Sequence, residues 1–109
     1  MTTGADPLDA LFDAVADPTR RWLLHQLVQE GPETATRLSV GLPVSRQAVV
    51  KHLRALVDAG LAAPERQGRE VRYRATPEPL AAAVGWLLDA GATWDRRIDR
   101  LRARTAAPA

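Results

Sequence analysis

A group of polar side chains between residues 45 and 54 has the chemistry to recognise nucleic acid. With helical spacing, Gln47, Lys51 and Arg54 fall on one face, opposite the apolar residues of the same segment. The glutamine amide can pair with an adenine edge, and Lys51 or Arg54 can donate hydrogen bonds to guanine or phosphate. Ser45 and Arg46 precede them, where the free amides of a helix N-terminus favour a phosphate. Taken without their surroundings, these side chains also fit an ordinary solvated helix face.

A second basic group follows in a segment that alternates as a β-hairpin does. Arg66, Arg69, Arg72 and Arg74 lie on or beside a glycine-containing turn, with Tyr73 among them. A basic hairpin directly after a recognition helix can hold flanking phosphates or enter the minor groove. We therefore predict that Arg69 and Arg72 contact nucleic acid and that Tyr73 packs beneath the hairpin.

The charge is unevenly distributed along the 109 residues. Residues 1–44 carry three basic and six acidic side chains, a net charge of −3. Residues 45–74 carry seven and three, a net charge of +4, and residues 75–109 carry five and four, a net charge of +1. A basic segment between acidic and nearly neutral ones favours a surface that binds polyanions, although solvated surface charge explains the same arithmetic.

The composition argues against an enzyme and against a membrane protein. There is no cysteine, neither of the two histidines has a neighbouring serine–aspartate arrangement, and no glycine-rich phosphate loop occurs. No apolar run approaches the roughly 18–20 residues of a membrane span, and the first nine residues do not resemble a signal peptide. We expect a single cytoplasmic domain over residues 1–109 that needs no cofactor, no metal and no membrane.

Hydrophobic periodicity and capping signals predict five helices and two strands. The helices are expected at residues 7–16, 18–30, 33–40, 46–59 and 77–104, and the strands at 61–66 and 71–75. A short helix, a turn and a longer helix over residues 33–60 form a helix-turn-helix, whose second helix enters the major groove of DNA. The hairpin at about 61–75 is its wing. The predicted fold is mostly α with a small β-hairpin, a winged helix-turn-helix in the order α-α-α-α-β-β-α.

The last predicted helix carries a heptad seam. Its members repeat at intervals of four and three residues and are Leu80, Val84, Leu87, Gly91, Trp94, Ile98 and Leu101. A helix of about 28 residues spans roughly 42 Å and reaches beyond the core of so small a domain. The seam therefore predicts a homodimer, in which Gly91 lets two backbones approach and Trp86 and Trp94 supply buried area. The alternative is that the stripe packs only on its own domain.

Several motifs occur in a fixed order along most of the chain. They are Ala16-Asp17-Pro18-Thr19-Arg20-Arg21, Val44-Ser45-Arg46-Gln47-Ala48-Val49, Lys51-His52-Leu53-Arg54, Leu56, Ala59-Gly60-Leu61, Gly68-Arg69, Tyr73 and Pro77-Glu78-Pro79-Leu80. Together they resemble the ArsR-type winged helix-turn-helix repressors, over about residues 8–104.

That resemblance implies a homodimer joined through the first and last helices, so that Leu8, Leu11 and Phe12 join the seam. It also implies double-stranded DNA as partner, through a pseudo-palindromic operator read by two recognition helices. Members of the family usually repress their own promoter and release it when an effector binds. Ser45, Arg46 and His52 are expected at phosphates, although His52 lies at the margin of the inward face and also fits a packing role.

Two departures from the family pattern alter these expectations. Val50 stands where the family usually has a small polar residue, so an apolar contact, for example to a thymine methyl, replaces a polar one. The metal-sensing members place cysteines on the helix before the turn, and residues 33–40 contain none. The other metal site of the family uses histidines on the last helix, and residues 77–104 contain none. Release of DNA by metal is therefore not expected.

Two questions stay open at the level of sequence. A protein- or ligand-binding module on the same fold, with DNA not its main partner, also fits Val50, the modest net charge and the acidic first third. An unknown small-molecule effector could bind an apolar pocket lined by Trp22, Trp86 and Trp94, whereas the same tryptophans could simply fill a dimer core.

Overall fold

The computed structural model describes residues 6–105, and the ends of the predicted domain, residues 1–5 and 106–109, lie outside the described residues. In chain order the elements are α1 Pro7–Ala16, α2 Pro18–Glu30, β1 Glu33–Thr34, α3 Ala35–Val40, α4 Arg46–Asp58, β2 Ala62–Gln67, β3 Glu70–Ala75 and α5 Leu80–Thr105. The three strands form one antiparallel sheet in the order β1-β3-β2. The mostly helical winged helix-turn-helix fold predicted from the sequence is confirmed.

Side-chain caps fix where four of the helices begin. The residue preceding each helix accepts a hydrogen bond from a backbone N–H of the first turn, at 2.9 Å for Asp6, 3.0 Å for Asp17, 3.2 Å for Thr34 and 3.1 Å for Ser45. These bonds satisfy amides that have no partner within the helix itself. The capping residues therefore set the register of α4, and with it the direction in which each α4 side chain points.

The predicted helix at residues 33–40 is two residues too long at its start. Glu33 and Thr34 form β1, which pairs with β3 so that Glu33 lies opposite Tyr73 and Thr34 opposite Arg72. Thr34 also caps α3, so it cannot belong to that helix. The hairpin is consequently the greater part of a three-stranded sheet, and β3 is its central strand.

The last helix begins at Leu80 instead of at the predicted Pro77. Residues 77–82 first form tight turns, in which Leu80 N donates to Pro77 O at 2.9 Å and Ala81 N donates to Glu78 O at 3.1 Å. Pro79 disfavours helical geometry at the residue before it, and this delays the helix. The buried surface of α5 is small, since Ala83 is its only buried residue within the described part of the chain.

The core lies under α4. Its most completely enclosed side chains are Leu23 from α2, Val49, Leu53 and Leu56 from α4, and Leu61 just before β2. The inward face predicted for α4 is confirmed at these three positions. Burial of each aliphatic side chain stabilises the fold by about 1.5–3 kcal/mol relative to exposure. Since one face of α4 is anchored in this way, the opposite face is held towards solvent.

Candidate nucleic-acid interface

The outward face of α4 presents three exposed polar side chains. Gln47, Lys51 and Arg54 are all exposed, while Val49, Leu53 and Leu56 on the opposite face of α4 are fully buried. Within residues 6–105, neither Lys51 nor Arg54 has an ion pair. Their donors are therefore available to a ligand without the loss of an intramolecular contact. The sequence predicted these three residues on one face of the helix, and in the structure they lie together on the outward face of α4.

The amino end of α4 is tied to α3. The Ser45 hydroxyl oxygen accepts from Ala48 N at 3.1 Å, and Arg46 Nε donates to the Thr36 hydroxyl at 2.9 Å. The hydroxyl hydrogen of Ser45 and the two terminal nitrogens of Arg46 remain as donors. These groups lie beside the free amides of the first turn of α4, where an anion is favoured.

A cleft of about 500 Å³ separates the start of α4 from the sheet. Half-buried Val50 forms part of its floor and lies across from Val71 and Tyr73 of β3, so its side chain is only partly open to solvent. Tyr73 also packs against the core, as predicted. The α3 side of this cleft was not predicted, because residues 33 and 34 form β1 and not the start of a helix. The cleft is lined by Thr34, Ala35, Thr36, Arg37, Arg46, Val50, Arg69, Glu70, Val71 and Tyr73.

His52 does not lie on the outward face of α4. Its Nδ1 is 3.8 Å from Oδ2 of Asp17, the residue that caps α2, and its side chain is half-buried. The pKa of Asp17 is lowered chiefly by the hydrogen bond from the backbone N–H of Arg20, with His52 as a smaller contribution, while desolvation opposes the shift. His52 thus joins α4 to the start of α2, which is the packing role that the sequence left open, and its contact with a phosphate stays a prediction.

The two wing arginines that the sequence predicts at nucleic acid, Arg69 and Arg72, have different surroundings. Arg69 is exposed in the turn between β2 and β3, and Gly68 before it adopts φ +63°. Arg72 lies in the central strand, its Nη2 is 3.5 Å from Glu70 Oε1, and its Nε is buried without a hydrogen-bond partner. Alternation along β3 puts Arg72 on the face opposite Val71 and Tyr73, which line the cleft. Arg72 thus lies beside Glu70 within the sheet and Arg69 is exposed at the tip of the wing, and contact of either arginine with DNA stays a prediction.

The exposed apolar surface is concentrated on α5. Val84, Leu87, Trp94 and Leu101 of the predicted seam are each about half exposed, as is Trp86 beside it, and Leu88 is 67% exposed. Ile98 is half-buried, and the space beside Gly91 is empty within the protomer. Contiguous apolar surface of this kind marks an interaction site.

The predicted interface residues nearest the core already pack within the protomer. Leu11, predicted at the dimer interface, is 3% exposed within the protomer, so it has almost no surface left for a partner. Phe12 is half-buried and packs edge-to-face on Trp86 with ring centroids 5.8 Å apart, which fixes α1 against α5. Leu8 and Leu80 are half-buried against the same core. The surface open to a partner therefore lies farther along α5 than the sequence indicated.

Two further properties of the described residues bear on function. No helix within residues 6–105 is long and apolar enough to cross a membrane. Over the same range, no three His, Asp or Glu side chains lie close enough together to hold a metal ion.

A short helix, a turn and a core-anchored second helix with an open polar face, followed by a basic hairpin, define a winged helix-turn-helix protein. Residues 15–65 match the family described as a helix-turn-helix domain. The uncharacterised HTH-type transcriptional regulator YuzN of Bacillus subtilis is 36% identical over 86 residues, which are 72% of this chain and 94% of the relative. The transcriptional repressor SdpR of the same organism is 28% identical over 82 residues, 75% of this chain and 90% of the relative.

Solved structures agree with these relatives. The ArsR-like transcriptional regulator from Rhodococcus sp. RHA1 superposes with a TM-score of 0.75 at 39% identity, over 94% of this chain and 95% of that one. The chain belongs to the ArsR-type winged helix-turn-helix family of transcriptional regulators, as its motifs indicated. Transcriptional regulators of this kind are not enzymes.

Proposed function

We propose that the protein is a sequence-specific repressor that binds a pseudo-palindromic DNA operator as a homodimer. The observation that carries this proposal is the outward face of α4, where Gln47, Lys51 and Arg54 are exposed while the opposite face is fixed in the core. A helix anchored in this way presents its polar side chains in one fixed geometry, which reading of base edges requires.

Each side chain has a distinct task in this proposal. Gln47 pairs with an adenine edge, and Lys51 and Arg54 donate to guanine or to nearby phosphates. Val50, half-buried on the floor of the cleft, contacts a thymine methyl through the part of its side chain that stays open to solvent.

The contacts to the DNA backbone come from the two ends of the same surface. Ser45 and Arg46 hold a phosphate at the amino end of α4, and Arg69 at the tip of the wing holds a flanking phosphate or enters the minor groove. Arg37 is added to this surface by the structure, because its side chain is 78% exposed and lines the cleft, although it also pairs with Glu33 at 3.3 Å. Backbone contacts of this kind set the register in which the base contacts are made.

The dimer is supported by the apolar face of α5. Val84, Leu87, Trp94 and Leu101 follow heptad spacing and remain about half exposed in the isolated protomer. Pairing of two such helices would bury them and place two copies of α4 on one side of the assembly. Two-fold symmetry then requires two half-sites separated by a whole number of helical turns, with one turn about 34–36 Å.

Repression is the regulatory outcome we favour. SdpR, one of the relatives, is named a transcriptional repressor. A dimer seated on a promoter excludes other proteins from the same DNA, so binding alone is enough to repress. YuzN and SdpR are proteins of a bacterium, in which DNA lies in the cytoplasm, so we expect this protein to act there as well.

The test is binding of the purified protein to DNA from just upstream of its own gene and to a scrambled fragment of equal length, at two salt concentrations. We expect tight binding to the native fragment that exceeds binding to the scrambled one by at least about 1,000-fold. Equal binding to both fragments, with the same steep salt dependence, would leave only a basic surface and would contradict the proposal.

A further inference from the structure

An apolar cavity lies on the side of the protomer away from α4. It has a volume of about 690 Å³, within the roughly 300–1,000 Å³ typical of small-molecule sites. It is formed where the end of α1, one face of α2 and the turn before α5 meet. Its lining residues are Val15, Pro18, Arg21, Trp22, Leu24, His25, Val28, Pro77 and Leu80.

Arg21 brings a fixed positive charge to this apolar site. Its Nη1 donates to the carbonyl oxygens of Val15 and Ala16, both at 2.8 Å, so the guanidinium is held at the carboxyl end of α1. The Nε and Nη2 donors have no partner within residues 6–105. An arginine that is already positioned loses little conformational freedom when it binds a carboxylate with its remaining donors. The cavity therefore combines an apolar wall with an anion-binding group.

Trp22 connects this cavity to the helix-turn-helix. Its indole lines the cavity and also lines a second depression that contains Val40 and Gly41, the residues at the end of α3. A Cβ atom at Gly41 would lie 2.9 Å from Cη2 of Trp22, so the ring rests directly on the backbone of the turn. The φ of Gly41 is −85°, which any residue can adopt, so the glycine is needed there for space. A molecule that pushes the indole towards Gly41 would therefore press on the turn that precedes α4.

We propose that this cavity binds a planar aromatic carboxylic acid, and that the bound acid weakens operator binding by shifting Trp22 against Gly41. The aromatic part would occupy the apolar wall, and its carboxylate would accept from Arg21. The effect on DNA rests on the proposed function, whereas binding of the acid does not.

The first arm of the test measures binding of 1-naphthoate by isothermal calorimetry on the full chain. The neutral analogue 1-naphthalenemethanol should bind at least about tenfold more weakly, because it lacks the carboxylate. Val28→Asp places a negative charge in the cavity at a position that is 52% exposed, so the fold tolerates it. It should weaken naphthoate binding at least about tenfold, while Gln29→Asp, the same charge on the next exposed residue outside the cavity, should not.

The second arm measures coupling to the helix-turn-helix. Saturating 1-naphthoate should shift the amide resonance of Gly41 and weaken binding to the native upstream fragment by about fivefold or more, in the range typical of allosteric coupling. If the protein binds no DNA even in the absence of naphthoate, the proposed function is refuted. The shift of the Gly41 resonance on addition of naphthoate then still tests whether the cavity is coupled to the turn.

Three results would overturn the inference. The first is no heat of binding up to millimolar naphthoate, and the second is equal affinity of the Val28→Asp and Gln29→Asp variants. The third is an unchanged Gly41 resonance at saturation. If Val28→Asp instead weakens self-association and naphthoate does not bind, a second copy of the chain covers the cavity and the inference is wrong.

Discussion

Replacement of Arg54 by alanine tests the reading of bases by α4. Arg54 is exposed in the second half of the helix and has no ion pair within the described residues, so its removal breaks no intramolecular contact. The side chains that hold α4 in place, Val49, Leu53 and Leu56, are unchanged. The variant should therefore keep the unfolding midpoint of the parent protein while DNA binding changes.

The magnitude follows from the number of contacts. A well-formed bidentate contact between a side chain and a base edge discriminates by about 1–3 kcal/mol. A symmetric dimer uses Arg54 twice, so Arg54→Ala should weaken operator binding by about 2–6 kcal/mol, at least about 30-fold at 1.36 kcal/mol per factor of ten. Binding to scrambled DNA should fall much less, because it depends on phosphate contacts alone.

Fluorescence anisotropy with labelled native and scrambled fragments measures both affinities under one condition. Arg100→Ala is the matched control, since it removes the same charge from an exposed position on α5. It should leave the ratio of the two affinities unchanged. An equal loss on both fragments for Arg54→Ala would refute the role of Arg54 in reading bases and would reduce it to a phosphate contact.

Three further predictions concern the wing, the cap of α2 and the turn. Arg69→Ala should weaken binding to both fragments and reduce the slope of log affinity against log salt by about 0.9 for each copy, measured by titration at several salt concentrations; an unchanged slope would contradict a phosphate contact. Asp17→Ala should lower the thermal unfolding midpoint because it removes the cap on Arg20 N, while Asp17→Asn should retain most of it. Because the pKa of Asp17 is lowered in the folded protein, its carboxylate stabilises the fold at neutral pH, and this stabilisation is lost as the pH falls through the folded-state pKa. Chemical denaturation at several acidic pH values should therefore show that the free energy of unfolding depends less on pH in Asp17→Ala than in the parent protein. Gly41→Ala should destabilise the fold by about 1–3 kcal/mol, because the new methyl group lies 2.9 Å from the Trp22 ring, and a neutral result in urea denaturation would show that the ring moves freely.

Local signals in the sequence were enough to predict the helices and the orientation of α4. Asp17 and Ser45 each lie where a helix starts, and capping acts within three residues along the chain. The apolar period of α4 placed Val49 and Leu53 inward, and both are fully buried. Capping and helical periodicity depend only on residues a few positions apart in the chain, so both can be recognised in a single sequence.

Contacts between distant segments could not be predicted in this way. A two-residue strand such as β1 has no period to detect, and it exists because β3 offers Glu33 a partner 40 residues away in Tyr73. The contact of His52 with Asp17 joins residues 35 positions apart in the chain, and no local spacing indicates it. Arg72 was predicted at DNA from the cluster of arginines on the hairpin, and such a cluster does not reveal that the Nε atom of Arg72 is buried. The cavity beside Trp22 depends on three separate segments, and Trp86 and Trp94, which the sequence suggested beside Trp22, do not line it.

The most direct test of the central claim is a hydroxyl-radical footprint of the protein on the upstream fragment. Two copies of α4 in one dimer should give two protected patches related by a two-fold axis, with centres separated by one helical turn of about 10 base pairs or a whole multiple of it. Trp94→Asp, which places a charge on the exposed seam of α5, should abolish both patches together at the same protein concentration. A single patch that survives Trp94→Asp would contradict the dimeric reader of DNA described here.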